Sequence, residues 1–188
     1  ITPPKLSKSS PTLDAVNTTQ KNIDIVFDEY IIVEKPNENI IISPVQKKQA
    51  SIKTTGKSIH IELNDSLIKN TTYTIDFGNC IMDNNERNIL KNFSFSFSTG
   101  SHIDSLSFKG VLLDAYTLNP VSNCIVGIYS AENKDLFTQA PLERIAKTNE
   151  KGEFTLKNIQ NKEYAIYALI DLNQNYFFDQ KGESIAFL

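Results

Sequence analysis

The sequence predicts an all-β protein built of two consecutive antiparallel β-sandwiches. Three observations carry this. Apolar residues alternate with period two, polar turns interrupt the alternation at short intervals, and no long amphipathic helix is visible. The last point also argues against parallel-sheet nucleotide folds, which need crossover helices.

The strands follow in order. In "NIDIVFDEY", Ile23, Ile25 and Phe27 face one way, with Asp24, Val26 and Asp28 on the other side. "SIHIEL" places Ile59, Ile61 and Leu63 on one face, and "TYTIDFG" does the same with Tyr73, Ile75 and Phe77. In "NFSFSFSTG", Phe93, Phe95 and Phe97 alternate with serines. Such runs are half-buried strands, and their β-branched and aromatic residues suit a pleated surface. "EYIIVE", "NIIISP" and "ASIKT" are shorter candidates. Between them, "TTGK", "LNDSLIKNT" and "MDNNERN" supply Asn, Asp and Gly for turns, and "DSLIKNTTY" has room for a single helical turn. The composition resets at "STGSHIDS", residues 98–105.

After the reset, Leu106, Phe108, Val111 and Leu113 lie on a strand that changes phase at Gly110, as at a bulge. "CIVGIYS" is the next strand. Residues 144–148 and 153–157 then read as a hairpin about "NEKG". "YAIYALI" is apolar on both faces and reads as a central strand. The expected domains are residues 1–100, opening with a tether rich in Pro, Ser and Lys, and residues 101–188, which stop on an apolar strand-like run. Together the two ends suggest a piece of a longer chain.

Composition narrows the function. The 188 residues are 40% hydrophobic and carry a net charge of −3. A packed core is available, and no basic stripe supports nucleic-acid binding. Nothing approaches the roughly 18 apolar residues of a membrane span. Seven glycines form neither a P-loop nor a GxGxxG motif. Two cysteines, Cys80 and Cys124, and two histidines, His60 and His102, leave little for zinc or nucleophilic chemistry. Cys80 and Cys124 read as small half-buried residues, with a disulfide between them the lesser alternative because they fall in different expected domains, and His60 reads as the exposed side of a strand.

Residues 3–100 resemble the bacterial Ig-like domain of surface-layer proteins and of Bacteroidetes-type lipoproteins. The resemblance rests on "NIDIVFDEYI", "NIIISP", "GKSIHIEL", "NTTYTIDFGNCIMDNNERNIL" and "FSFSFSTG". The second half is similar to a carboxypeptidase-regulatory-like, or transthyretin-like, sandwich through "FKGVLLDAYTLNPVSNCIVGIYS", "KTNEKGEFTLKNI" and "YAIYALIDLNQN". The resemblance implies an exported, lipid-anchored protein of the cell envelope, facing the periplasm or the exterior, with the anchoring cysteine upstream. It implies no reaction and no catalytic residue.

One stretch offers ligands. "DLNQNYFFDQKGE" spaces Asp171, Asn173, Asn175, Asp179 and Glu183 so that four of them occupy positions 1, 3, 5 and 9 of a calcium loop. Tyr176 stands where such loops need glycine, and Glu183 falls one residue past position 12. The stretch is therefore a candidate weak calcium site, with affinity of roughly 10⁻⁴–10⁻³ M. The competing reading is a polar connection capped by its own Asx turns. "DNNERN" at 83–88 reads as a β-turn. Tyr116 and "NYFF" offer aromatic faces that stack on sugar rings, and residues 136–144 form a loop available for contact. The leading function is thus a non-catalytic structural or interaction module with a protein or glycan partner at the envelope. A glycan- or peptide-binding accessory module is the alternative, and a metal-assisted hydrolase is the least supported.

Overall fold

A computed structural model describes residues 2–130 and 142–187. Among the described residues the fold is all-β and antiparallel, with one four-residue helix, α1 (Pro36–Asn39). The chain divides into two compact units: Ile1–Ile42 with Gln46–Ile103, and Ser43–Val45 with Asp104–Leu188.

The first unit holds three sheets. One has the order β1 (Leu6–Ser10), β2 (Asn22–Phe27), β6 (Ser58–Glu62), β5 (Ser51–Thr55). A second has β10 (Phe93–Ser98), β7 (Thr72–Gly78), β4 (Ile41–Ser43). The third, small sheet joins β3 (Ile31–Val33), β8 (Ile81–Asp83) and β9 (Ile89–Leu90). Registers bring like faces together: Ile23 lies opposite Ile61 and Ile25 opposite Ile59. On the second sheet, Ile75 lies opposite Phe95 and Tyr73 opposite Phe97. These side chains form one buried cluster with Phe27 and Phe77. Burying each contributes about 1.5–3 kcal/mol relative to exposure. The Tyr73 and Phe97 rings stack 5.2 Å apart, and the Tyr73 hydroxyl accepts the Ile68 N–H at 2.8 Å.

Several details differ from the sequence expectation. The opening segment contains a strand. β1 pairs antiparallel with β2, whereas the sequence suggests only a tether. β1 is an edge strand with a largely exposed face, so "LSKSS" has no apolar alternation to reveal it. The stretch at 63–71 holds no helix; the short helix lies at 36–39, where Pro36 pre-sets the first turn. The polar face of β7 and β10 is buried too, with Thr72, Thr74, Ser96 and Ser98 all inaccessible.

In the second unit, β11 (Leu106–Val111) pairs with β14 (Glu153–Ile159). The other sheet has the order β13 (Arg144–Lys147), β12 (Ile125–Ser130), β15 (Tyr164–Ile170), β16 (Ser184–Phe187). β15 is an interior strand, which accounts for apolar residues on both its faces. Ile128, Ala146, Leu156 and Ile159 form a buried cluster with Phe154, Tyr164 and Ile166 packed against it. β13 and β14 are not a hairpin: β13 pairs with β12, and β14 with β11. The turn after Thr148 instead carries the chain from one sheet to the other. Asn149 shapes it by accepting the N–H groups of Lys151 at 2.9 Å and Glu153 at 3.0 Å. Buried Arg144 links the two sheets by donating from Nε to the Asn158 carbonyl at 2.9 Å. The register of β11 shifts between Leu106 and Phe108, so the irregularity precedes Gly110. Gly110 is instead a close approach. A β-carbon there would lie 2.6 Å from the Phe154 ring.

Both cysteines are fully buried and free, more enclosed than their half-buried sequence reading. His60 is exposed on β6, and its Nδ1 lies 2.5 Å from the Asp24 carboxylate.

Asp83 is fully buried and explains the 83–88 turn. Its carboxylate accepts the N–H groups of Asn85 at 2.9 Å, Glu86 at 2.6 Å and Asn88 at 2.6 Å. Burial alone pushes this carboxyl up, but the hydrogen-bond donors of Glu86, Asn88 and Asn85 outweigh it and hold the pKa below the ordinary aspartate value. A depressed carboxyl gives stability that is present above the unfolded pKa and lost as pH falls through the folded one. The thermal midpoint should therefore fall as pH drops through and below the ordinary aspartate range, and D83N, with a lower midpoint at neutral pH, should fall less steeply there.

Candidate functional site

Two surfaces of the second unit carry features beyond packing. The first is the loop between β15 and β16. Asp171 accepts the N–H groups of Gln174 at 2.7 Å, Tyr176 at 2.8 Å and Asn175 at 3.4 Å. Asn173 accepts the Asn175 N–H at 3.3 Å, and Asn175 accepts the Phe177 N–H at 2.7 Å, each an Asx turn. Their side-chain amides both donate to the Asp179 carboxylate, at 3.0 and 2.7 Å. Glu183 is buried and accepts the N–H groups of Asp179 at 2.9 Å, Gln180 at 3.0 Å and Leu172 at 3.3 Å.

The five predicted residues therefore share one hydrogen-bonded loop. Tyr176 takes the left-handed conformation, φ 65°, at the position where calcium loops place glycine. The tight turn forms despite the side chain. Glu183, one residue late as a ligand, is well placed as a latch, because it reaches back to both ends of the loop. Among the described residues, no group of three or more His, Cys, Asp or Glu side chains is arranged to hold a metal ion. Burial and the Asp171 charge raise the Tyr176 pKa. Phe177 and Phe178 are half-buried, so "NYFF" is mostly packing. Removing the latch leaves three N–H groups without their acceptor. Glu183→Ala should cost about 2 kcal/mol, read as a lower thermal midpoint and faster amide exchange across 171–183.

The second surface runs along β11 into the turn that follows. Of the 13 large hydrophobic residues exposed in the described chain, six fall between 106 and 118: Leu106, Phe108, Val111, Leu113, Tyr116 and Leu118. Scattered apolar exposure is ordinary; here Leu106 and Phe108 share one face of β11 and Val111 lies on the other. The turn is well ordered by its own bonds. Asp114 accepts the Thr117 N–H at 2.7 Å, the Thr117 hydroxyl at 2.8 Å and the Tyr116 N–H at 3.1 Å. These donors, Thr117 foremost, hold the Asp114 carboxyl below the usual range against a small effect of burial. Tyr116 projects from the turn, 94% exposed. Leu118, also exposed, sits at φ 56°, a region that costs a branched aliphatic residue about 1–2 kcal/mol.

Sequence reasoning singles out Tyr116 but misses the exposed run on β11. Leu106 and Phe108 on one face of β11, and Val111 on the other, look like the residues of any strand covered on both sides, and only the missing neighbours leave them exposed. Of the predicted contact loop at 136–144, residues 136–141 lie outside the described residues; Leu142 and Arg144 are buried.

The fold is that of an all-β, antiparallel module. The family model for the bacterial Ig-like domain matches residues 1–99, and the chain belongs to that family. No curated protein sequence matches the chain. Among solved structures, an L,D-transpeptidase from Mycobacterium smegmatis is similar at 10% identity and a TM-score of 0.35, covering 87% of this chain and 79% of that one. The N-terminal part of the bacterial S-layer protein SbsC is similar at 14% identity and a TM-score of 0.34, covering 97% and 43%. The major pilin subunit of Bacillus cereus gives 11% identity and a TM-score of 0.27, covering 88% and 58%.

Proposed function

We propose that the chain is a non-catalytic structural and interaction module of an exported bacterial envelope protein, serving in scaffolding, adhesion or presentation of other domains. The observation that carries this reading is the run of exposed apolar side chains between Leu106 and Leu118, on both faces of β11 and on a hydrogen-bonded turn. Such a surface suits contact with another macromolecule. Membership of the bacterial Ig-like family over residues 1–99 supports it. In this reading the second unit is a transthyretin-like sandwich, and membrane attachment comes from a lipid-bearing cysteine upstream in an outer-membrane lipoprotein facing the periplasm or exterior. No helix of the described residues is long and apolar enough to cross a membrane. Surface labelling of cells making the full-length protein, with a membrane-impermeant amine reagent, tests the reading. Labelled protein in the envelope fraction is expected; protein confined to the cytosol overturns it.

Tyr116 favours one further reading, an accessory module that binds glycan or peptide, because its ring is almost wholly exposed. Hits on a glycan array that disappear with Tyr116→Ala would establish it; an array without hits removes the glycan form. In either reading the 171–183 loop is stiffened by its own donors, with calcium as an added ligand to be tested. Calorimetric heat at millimolar calcium that vanishes with Asp171→Ala assigns the ion to Asp171, Asn173, Asn175, Asp179 and Glu183. No heat, with a midpoint indifferent to chelator, leaves the loop self-capped.

A further inference from the structure

An antiparallel strand with a neighbour on one side only turns alternate N–H and C=O groups outward. β11 is such a strand: among the described residues it pairs with β14 and with no other. Its two faces differ. Phe108 lies opposite buried Leu156, and its ring centroid is 6.0 Å from that of Phe154, so this face continues the core. Leu106, opposite buried Ile159, extends the same apolar run, yet Leu106 and Phe108 are themselves 50% and 40% exposed. The core of this unit is thus uncovered along the β11 edge. The opposite face carries Lys109, across from Thr155, and exposed Val111, across from Glu153. Lys109 is exposed and has neither an ion pair nor a hydrogen-bonding partner among the described residues.

We propose that β11 accepts an added β-strand from another polypeptide, an extended segment of alternating apolar and acidic residues. Its apolar side chains would cover Leu106 and Phe108, and a carboxylate would stand opposite Lys109. Main-chain hydrogen bonds along the free edge supply the affinity, and the alternating side chains supply the selection. Charge chooses the occupant. A lysine on an edge strand is the usual guard against indiscriminate pairing. In a pair of identical β11 strands, the register that opposes Lys109 to Lys109 is repulsive, and no register supplies a carboxylate. A strand bearing an acid at that place turns the guard into a contact. At Gly110 the ring of Phe154 occupies the place a side chain would take.

This inference rests on reading the chain as an interaction module, and its test is separate from cell-surface labelling. The full chain is titrated with a capped nine-residue peptide of alternating valine and glutamate. The same peptide N-methylated on either alternate set of residues, and its valine–lysine counterpart, are the comparisons. The glutamate peptide should bind, methylation on one of the two sets should weaken it at least tenfold, and K109E should transfer the preference to the lysine peptide. No binding at millimolar peptide, binding indifferent to both methylated sets, or an unchanged preference in K109E overturns the proposal. So does a protein that sediments alone as a dimer through this edge, broken by F108D. The methylation comparison needs no variant, so it holds even if K109E folds poorly.

Discussion

Phe97→Ala is expected to lower the unfolding free energy by about 4 kcal/mol, within the range for emptying a large aromatic site in a core. Phe97 is wholly buried on β10, faces Tyr73 across the β10–β7 register, and stacks on its ring with the planes 6° apart. Its removal takes away that stacking partner and leaves a void. Two sheets held by their backbone ladders cannot close such a void fully. Urea denaturation followed by far-ultraviolet circular dichroism gives the measurement. A loss under about 1 kcal/mol would mean that the site collapses or that the packing is misjudged. Phe97→Leu keeps most of the volume and should recover more than half the loss.

Gly152→Ala should cost about 3 kcal/mol, unusually much for adding one methyl group. Gly152 has φ +73°, where a β-carbon is strained by roughly 1–2 kcal/mol. The new carbon would also stand 2.4 Å from the Leu112 carbonyl oxygen, a backbone atom that cannot rotate aside. The Leu112 N–H donates to the Gly152 carbonyl at 2.8 Å, so relieving the clash disturbs that bond too. Gly78 is the natural control: its φ is +52°, and nothing lies within 4 Å of its missing β-carbon. Gly78→Ala should therefore cost only the conformational share, about 1–2 kcal/mol. Equal thermal midpoints for the two variants would show that the Leu112 contact carries nothing.

These two sites also mark how far the sequence speaks. Phe97 announces itself, because period two in "FSFSFS" places every phenylalanine on one face, and that face proves to be core. The buried serines and threonines on the other face are silent, since a pattern of one strand cannot show what lies against its polar side. The same holds for β1 and β11. An edge strand need not alternate, so "LSKSS" hides a strand, and an uncovered strand looks like a covered one, so the exposure of Leu106, Phe108 and Val111 cannot be read from their order. Pairing across the turn at Asn149–Gly152 misleads for a related reason. Local turn chemistry fixes a reversal of direction, while the choice between a hairpin and a passage between sheets depends on distant partners. In the 171–183 loop, Asp171, Asn173, Asn175, Asp179 and Glu183 share one hydrogen-bonded network. Ligand-like spacing and self-capping spacing use the same oxygens, so the residues alone do not separate a cation site from a latch.

The buried thiols have a consequence for handling the protein. Burial pushes Cys80 and Cys124 each to about 11. At pH 8 only about one thiol in a thousand is then the reactive thiolate. Alkylating and oxidising reagents should pass both by while the fold is intact, and the redox poise of the surroundings should leave its stability unchanged. A cysteine introduced at an exposed place, such as Tyr116→Cys, would therefore be the one that reacts, giving a single-site probe on a chain that needs no thiol removed beforehand.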